Sequence, residues 1–171
     1  MLIAFEEPEM NDLGTSIRHC LATENYYGAL FLTLVVPSVC GALESADGKD
    51  SKTKYATWFD RYVFNLQLTG EDCYKLRCTV LHQATTLQRN APFRRVIFTF
   101  PTQGGNVFHN NVLNDALNLD IPRFCDEVLS GVDRWLLATR GDQSVTQNEE
   151  TMLKVYPNGL APFMVGHPVI S

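Results

Sequence analysis

Apolar residues keep helical spacing through the first half of the chain and again after residue 120, with strand-like runs between. Leu13, Ile17, Cys20 and Leu21 share one helical face, and Asn11 or Asp12 can cap that helix. YYGALFLTLVVPSVCGALES, from Tyr26, is apolar nearly all round, the pattern of a helix buried on most sides. Pro37 either kinks it or begins a second short helix after Val36. SADGKDSKTK is a polar connection with turn chemistry at Asp47-Gly48. Ser51 caps the next helix, where Tyr55, Trp58, Phe59, Tyr62, Val63 and Leu66 form the cleanest amphipathic face in the chain. Such an aromatic face fits core packing better than base stacking. Thr69 and Asp72 then form a capping pair for a helix running to Gln83. Its apolar stripe is Cys73, Leu76 and Val80, flanked by Tyr74 and Leu81.

Beyond Gln83 the texture changes. ATTLQRNAPF reads as a polar connection and RRVIFTFP as a strand, by its β-branched and aromatic content. Gly104-Gly105 suggests a turn, after which NVFHNN returns as a second strand. Asp120 and Pro122 open a long helix with Phe124, Cys125, Val128, Leu129, Val132, Trp135 and Leu136 facing inward. GDQSVTQNEE reads as a polar loop and TMLKVYP as a third strand, while the Pro- and Gly-containing tail takes no assignment. The expected architecture is mainly α, in a single domain over residues 1–171. Its helical core covers about residues 11–84 and 120–139, and a small β appendage covers about 93–112 and 151–156, between the last two main helices.

Composition adds little to this picture but excludes several classes. The 171 residues are 45% hydrophobic and 19% charged, which suits a globular chain and neither a disordered nor a fibrous one. A net charge of −5 provides no global field to attract nucleic acid or anionic membrane, so any anion site must be local. The five cysteines, Cys20, Cys40, Cys73, Cys78 and Cys125, lack C-x-x-C spacing and mostly fall within apolar patterns. They read as small core residues in a reducing compartment. MLIAFEEPEM has no basic region ahead of its apolar run, so no signal peptide is expected. The run from Gly28 to Leu43 falls short of the ~20 residues of a membrane span. A cytoplasmic location with no membrane partner follows.

Two polar residues stand out on the Thr69–Gln83 helix. Arg77 falls inside its apolar arc, where a guanidinium is costly unless an anion meets it. His82 lies about 140° further round, in the last turn. One reading pairs Arg77 with Glu44, Asp60 or Asp72 and leaves His82 to cap the helix C-terminus. The other keeps the pair for a phosphate-bearing visitor, and the residues alone leave both open. Arg89, Arg94 and Arg95 make a local basic patch that either guides an RNA backbone or charges a strand edge. Cys78 and His82 are spaced i, i+4, but two ligands do not close a zinc site. His109 and His167 suit ordinary surface roles. Gly104-Gly105 lacks the lysine and following helix of a phosphate loop. No metal or cofactor is called for.

R-C-T-V-L-H, Arg77 to His82, resembles the R-x4–6-H motif of the HEPN superfamily, and YKLRCTVLHQ is similar to the segment ending a HEPN helix. The resemblance covers this helix and, loosely, the helices before it. It departs in one place: Cys78 stands where many active members carry Asn or Asp. The resemblance implies a homodimer whose paired helices form a metal-independent endoribonuclease site. His82 would then be general acid/base and Arg77 the holder of the scissile phosphate, with Arg89, Arg94 and Arg95 binding RNA. It also implies a toxin or host-defence nuclease, with a protein inhibitor or antitoxin among its partners. The alternative is a non-catalytic dimeric scaffold or a nucleotide-binding regulator in which Arg77 is a structural ion pair.

Overall fold

Helices α1 (Met10–Ala22), α2 (Tyr26–Leu43), α3 (Lys52–Tyr62) and α4 (Gly70–Gln83) come first, followed by strands β1 (Arg95–Thr99), β2 (Asn111–Leu113) and β3 (Ala116–Asp120). The chain continues through α5 (Ile121–Ala138) and α6 (Gln143–Glu149) to four two-residue strands: β4 (Val155–Tyr156), β5 (Gly159–Leu160), β6 (Met164–Val165) and β7 (Val169–Ile170). This computed structural model describes residues 10–89, 92–102 and 104–171. The fold is mainly α, as the helical periodicities imply.

α2 is the axis of the helical layer and packs against α1, α3, α4, α5 and α6. Ten of its residues are buried, yet Tyr27 and Phe31 remain exposed, so it is less enclosed than its uniform apolarity suggests. It passes through Pro37 as one helix, without a second helix beginning there. By length and composition its 18 residues, at a mean hydropathy of 1.7, would also suffice to cross a membrane. Here that apolar surface is spent largely on Trp58, Trp135, Tyr55, Phe59 and the rest of one shared core.

Caps set several boundaries. Ser51 Oγ accepts the Lys54 N–H at 3.2 Å and Asp120 Oδ1 accepts that of Arg123 at 3.2 Å, as their positions imply. α1 already includes Met10, so Asn11 and Asp12 lie inside its first turn and the cap falls outside the described residues. α3 stops at Tyr62, because Val63 is extended and Asn65 takes a left-handed φ of 61°. Val63 stays buried without being helical.

The sheet differs most from expectation. Its order is β1-β3-β2, with β1 parallel to β3 and β2 antiparallel to it. All five residues of β3 are buried, so the middle strand belongs to the core and the sheet is no mere appendage. ALNLD hides from a strand reading because it lacks β-branched residues and carries two polar ones. Asn118 satisfies itself by donating to the Asn111 and Ala116 carbonyls at 3.2 Å each, and Asp120 caps α5. Residues 106–110 form no strand. β2 begins only at Asn111 and turns into β3 through Asn114 and Asp115, both at positive φ, as a two-residue hairpin requires.

GDQSVTQNEE is not a loop: Asp142 Oδ1 accepts from Ser144 and Val145, and the segment becomes α6. Asn148 Nδ2 then donates to the Leu43 and Ser45 carbonyls at 2.9 and 2.8 Å, tying α6 to the end of α2. The strand expected over 151–156 reduces to Val155–Tyr156, which pairs with β7 and not with the three-stranded sheet.

Candidate functional site

α4 is fixed at its start by a reciprocal cap. Thr69 Oγ1 accepts the Asp72 N–H at 3.2 Å and donates to Asp72 Oδ2 at 2.7 Å. The Gly70 N–H donates to Asp60 Oδ1 at 2.6 Å. A Cβ on Gly70 would overlap the Ala56 carbonyl, so only glycine lets α4 lie this close to α3. Cys73, Leu76 and Val80 are buried, as their spacing predicts, which orients the remaining positions. Ala84, in the left-handed region at φ 52°, ends the helix just beyond the exposed His82.

Arg77 lies half-buried on the flank of this stripe. Its guanidinium sits 5.9 Å from the Tyr74 ring centroid, and its Nη1 lies 4.0 Å from Cys78 Sγ. Its Nε is fully buried and has no hydrogen-bond acceptor. The three carboxylates named for it are occupied elsewhere. Glu44 Oε1 accepts from Trp135 Nε1 at 3.0 Å and Tyr62 Oη at 3.3 Å. Asp60 serves Gly70, and Asp72 serves Thr69 and, at 3.9 Å, Lys75. Among the described residues no carboxylate is within ion-pair distance of Arg77.

Asp50 Oδ1 is likewise buried without a partner. Burial, together with the charges of Cys73 and Asp50, pushes the Tyr55 phenol up, and Arg77 pulls it back. Tyr74 is raised first by the neighbouring Cys78, then by burial, with Arg77 again opposing. Arg77 and Asp50 thus act with opposite sign on the same two tyrosines, and they form no ion pair with each other.

Outside this flank lies a groove of about 570 Å³ between α4 and the segment that follows it, lined by Lys52, Lys75, Cys78, Gln83, Gln88 and Arg89 among others. Lys52 and Lys75 both reach Glu71, at 2.7 and 3.3 Å, so one carboxylate is shared by two ammonium groups. Arg77 and His82 do not line this groove. His82 nevertheless occupies the same outward face, about 20° from Lys75 and about 40° from Cys78 round the helix. Arg77 lies about 140° from His82, so one chain does not aim both groups at one point.

The basic patch divides. Arg89 borders the groove beside α4, whereas Arg94 and Arg95 border the next concavity with Leu113 and Asp115. Leu87 edges both, so the two depressions are neighbours. Of the groove residues, Lys75 had one sequence signal, its i, i+4 spacing from Glu71. Lys52 and Gln88 had none, because they lie outside α4 and reach the groove only through tertiary packing. Among the described residues no group of three or more His, Cys, Asp or Glu side chains is gathered for a metal. No family model, no curated protein and no solved structure matches this chain.

Proposed function

We propose that the protein is a metal-independent endoribonuclease with a HEPN-like helical bundle, acting as a homodimer in which two α4 helices meet. The observation that carries this reading is the state of Arg77: half-buried, with a buried Nε lacking an acceptor and with every carboxylate named for it engaged elsewhere. A guanidinium keeps its charge at any working pH, so a ring face and a thiol only partly offset its desolvation. A phosphodiester supplies the missing anion with matched acceptor geometry.

In this reading an RNA strand follows the groove, with Lys52, Lys75 and Arg89 against its phosphates and Arg94 and Arg95 continuing the path. The 2′-hydroxyl loses its proton to a His82 imidazole as its oxygen bonds to phosphorus, and the bond from phosphorus to the 5′-oxygen breaks. A protonated imidazole returns a proton to that leaving oxygen. Arg77 holds the non-bridging oxygens as charge builds on them. Pairing two copies of α4 explains how groups about 140° apart on one helix serve one cleft.

The test is cleavage of mixed RNA by the purified protein in EDTA, beside His82→Ala and Arg77→Ala. The proposal expects cleavage by the parent and a loss of about 100-fold or more in each variant. Tight RNA or nucleotide binding with no cleavage supports the regulator, and neither activity supports the scaffold.

A further inference from the structure

The last twenty residues, Met152 to Ser171, run out from α6 as a hairpin arm. β4 pairs with β7, β5 pairs with β6, and Lys154 and Ser171 exchange backbone hydrogen bonds at its base. Leu153, Val155, Phe163, Met164, Val165 and Ile170 are all exposed on it, Phe163 to 83%. The arm is also almost uncharged. Lys154 is its one Asp, Glu, Lys or Arg, in a chain that is 19% charged overall. A two-stranded hairpin of this size is marginal alone in water, and depletion of charge around large apolar residues is the composition of an interface core.

The same chain carries an uncovered counterpart. Between the start of α2 and β1 lies a concavity of about 330 Å³ bordered by Tyr26, Tyr27, Ile97, Phe98 and Phe100. Tyr26 and Phe100 stack at 5.1 Å, while Tyr27 and Phe100 are 78% and 56% exposed. The outer edge of β1 is bridged by the segment before it only as far as Val96, whose N–H donates to the Thr86 carbonyl at 3.1 Å. Among the described residues no backbone pairing continues along Ile97–Thr99 on that side, so the concavity adjoins an open strand edge.

We propose that the arm of one copy docks on the Tyr27–Phe100 concavity of a second copy, reciprocally, with an arm strand extending the free edge of β1. Area favours this occupant. The six exposed arm residues, about two-thirds exposed on average, present about 700 Å², at ~150–200 Å² per fully exposed large side chain. A stable interface needs about 800 Å² per partner, and reciprocal exchange supplies one arm and one acceptor from each copy. Strand addition at an exposed edge provides register, and the apolar residues provide affinity. The exchange does not depend on the nuclease reading, because it uses a different face from α4.

The experiment is sedimentation equilibrium of the full chain, beside Phe163→Glu with Val165→Lys, and beside Tyr27→Glu. A photo-crosslinker placed at residue 163 is then mapped by mass spectrometry. All substituted positions are exposed, and circular dichroism confirms that the variants fold. Exchange expects at least a tenfold weaker association in both the arm and the groove variants, with intermolecular crosslinks from residue 163 to 26–31 or 95–100. A monomeric parent overturns it, as do crosslinks falling elsewhere. So does a dimer that neither substitution weakens, an outcome that leaves a contact through α4 standing.

Discussion

Trp135 Nε1 donates to Glu44 Oε1 at 3.0 Å, joining the last turn of α5 to the end of α2 and committing the first carboxylate after the long apolar helix to an indole. Arg77 therefore has no claim on Glu44, and a double-mutant cycle separates the two relationships. Glu44→Gln with Trp135→Phe is expected to show coupling of about 1.5 kcal/mol, the scale of a hydrogen bond to a charged group. Glu44→Gln with Arg77→Met is expected to be additive within about 0.5 kcal/mol. Urea unfolding of the two cycles measures both.

The entry to α4 depends on backbone proximity. Gly70→Ala drives a methyl into the Ala56 carbonyl, and the two helices must part. The expected cost is about 1–3 kcal/mol, with the loss visible as a lower urea midpoint at unchanged m-value. Thr69→Ala removes only the cap and costs about 1 kcal/mol. A Gly70→Ala cost well below about 1 kcal/mol would contradict the close approach.

His109 gives the fold a mild acid sensitivity. Burial lowers its pKa from the ordinary 6.5, opposed by Asp120 and Glu127 and aided by Arg123. Below 6.5 the unfolded chain binds this proton more readily than the folded one, so stability falls as pH drops from 6.5 through the lowered folded-state value. The paired carboxylate of Asp47, held at about 2 by Lys54, enters only below its ordinary 3.8. His109→Gln should flatten the slope of the unfolding free energy in that window, measured by denaturation at half-unit intervals.

The five free thiols divide by burial. Desolvation pushes Cys73 up to about 12 and Cys125 up to about 11, and burial with the nearby Glu44 charge raises Cys40 further from reactivity. Alkylation at pH 8 followed by mass spectrometry should label Cys20 and Cys78, both partly exposed, and spare the other three until denaturant is added. Early labelling of Cys73 would mean that the α3–α4 seam opens readily.

Much of this fold was legible because its helices carry their own punctuation. Ser51, Thr69 and Asp120 cap where their side chains imply, and the Cys73–Leu76–Val80 stripe is buried as spaced. β3 was hidden because Asn118 and Asp120 put polar groups into a fully buried strand, and only their specific hydrogen bonds make that affordable. α6 was hidden because its pattern is polar and its stability comes from the Asp142 cap and from Asn148 on the end of α2. At the site, the oddity of Arg77 was visible in the sequence, but the engagement of Glu44, Asp60 and Asp72 was not. Those partners lie 10 to 91 positions away, or, for Asp72, within a capping bond that only the local backbone geometry settles.

The most direct measurement is the chemistry of the RNA ends left by the purified protein in EDTA. Transfer through His82 and Arg77 leaves 2′,3′-cyclic phosphate and 5′-hydroxyl termini, with their yield lost in His82→Ala and in Arg77→Ala. Cleavage that yields 3′-hydroxyl ends, or that survives both substitutions, contradicts the account.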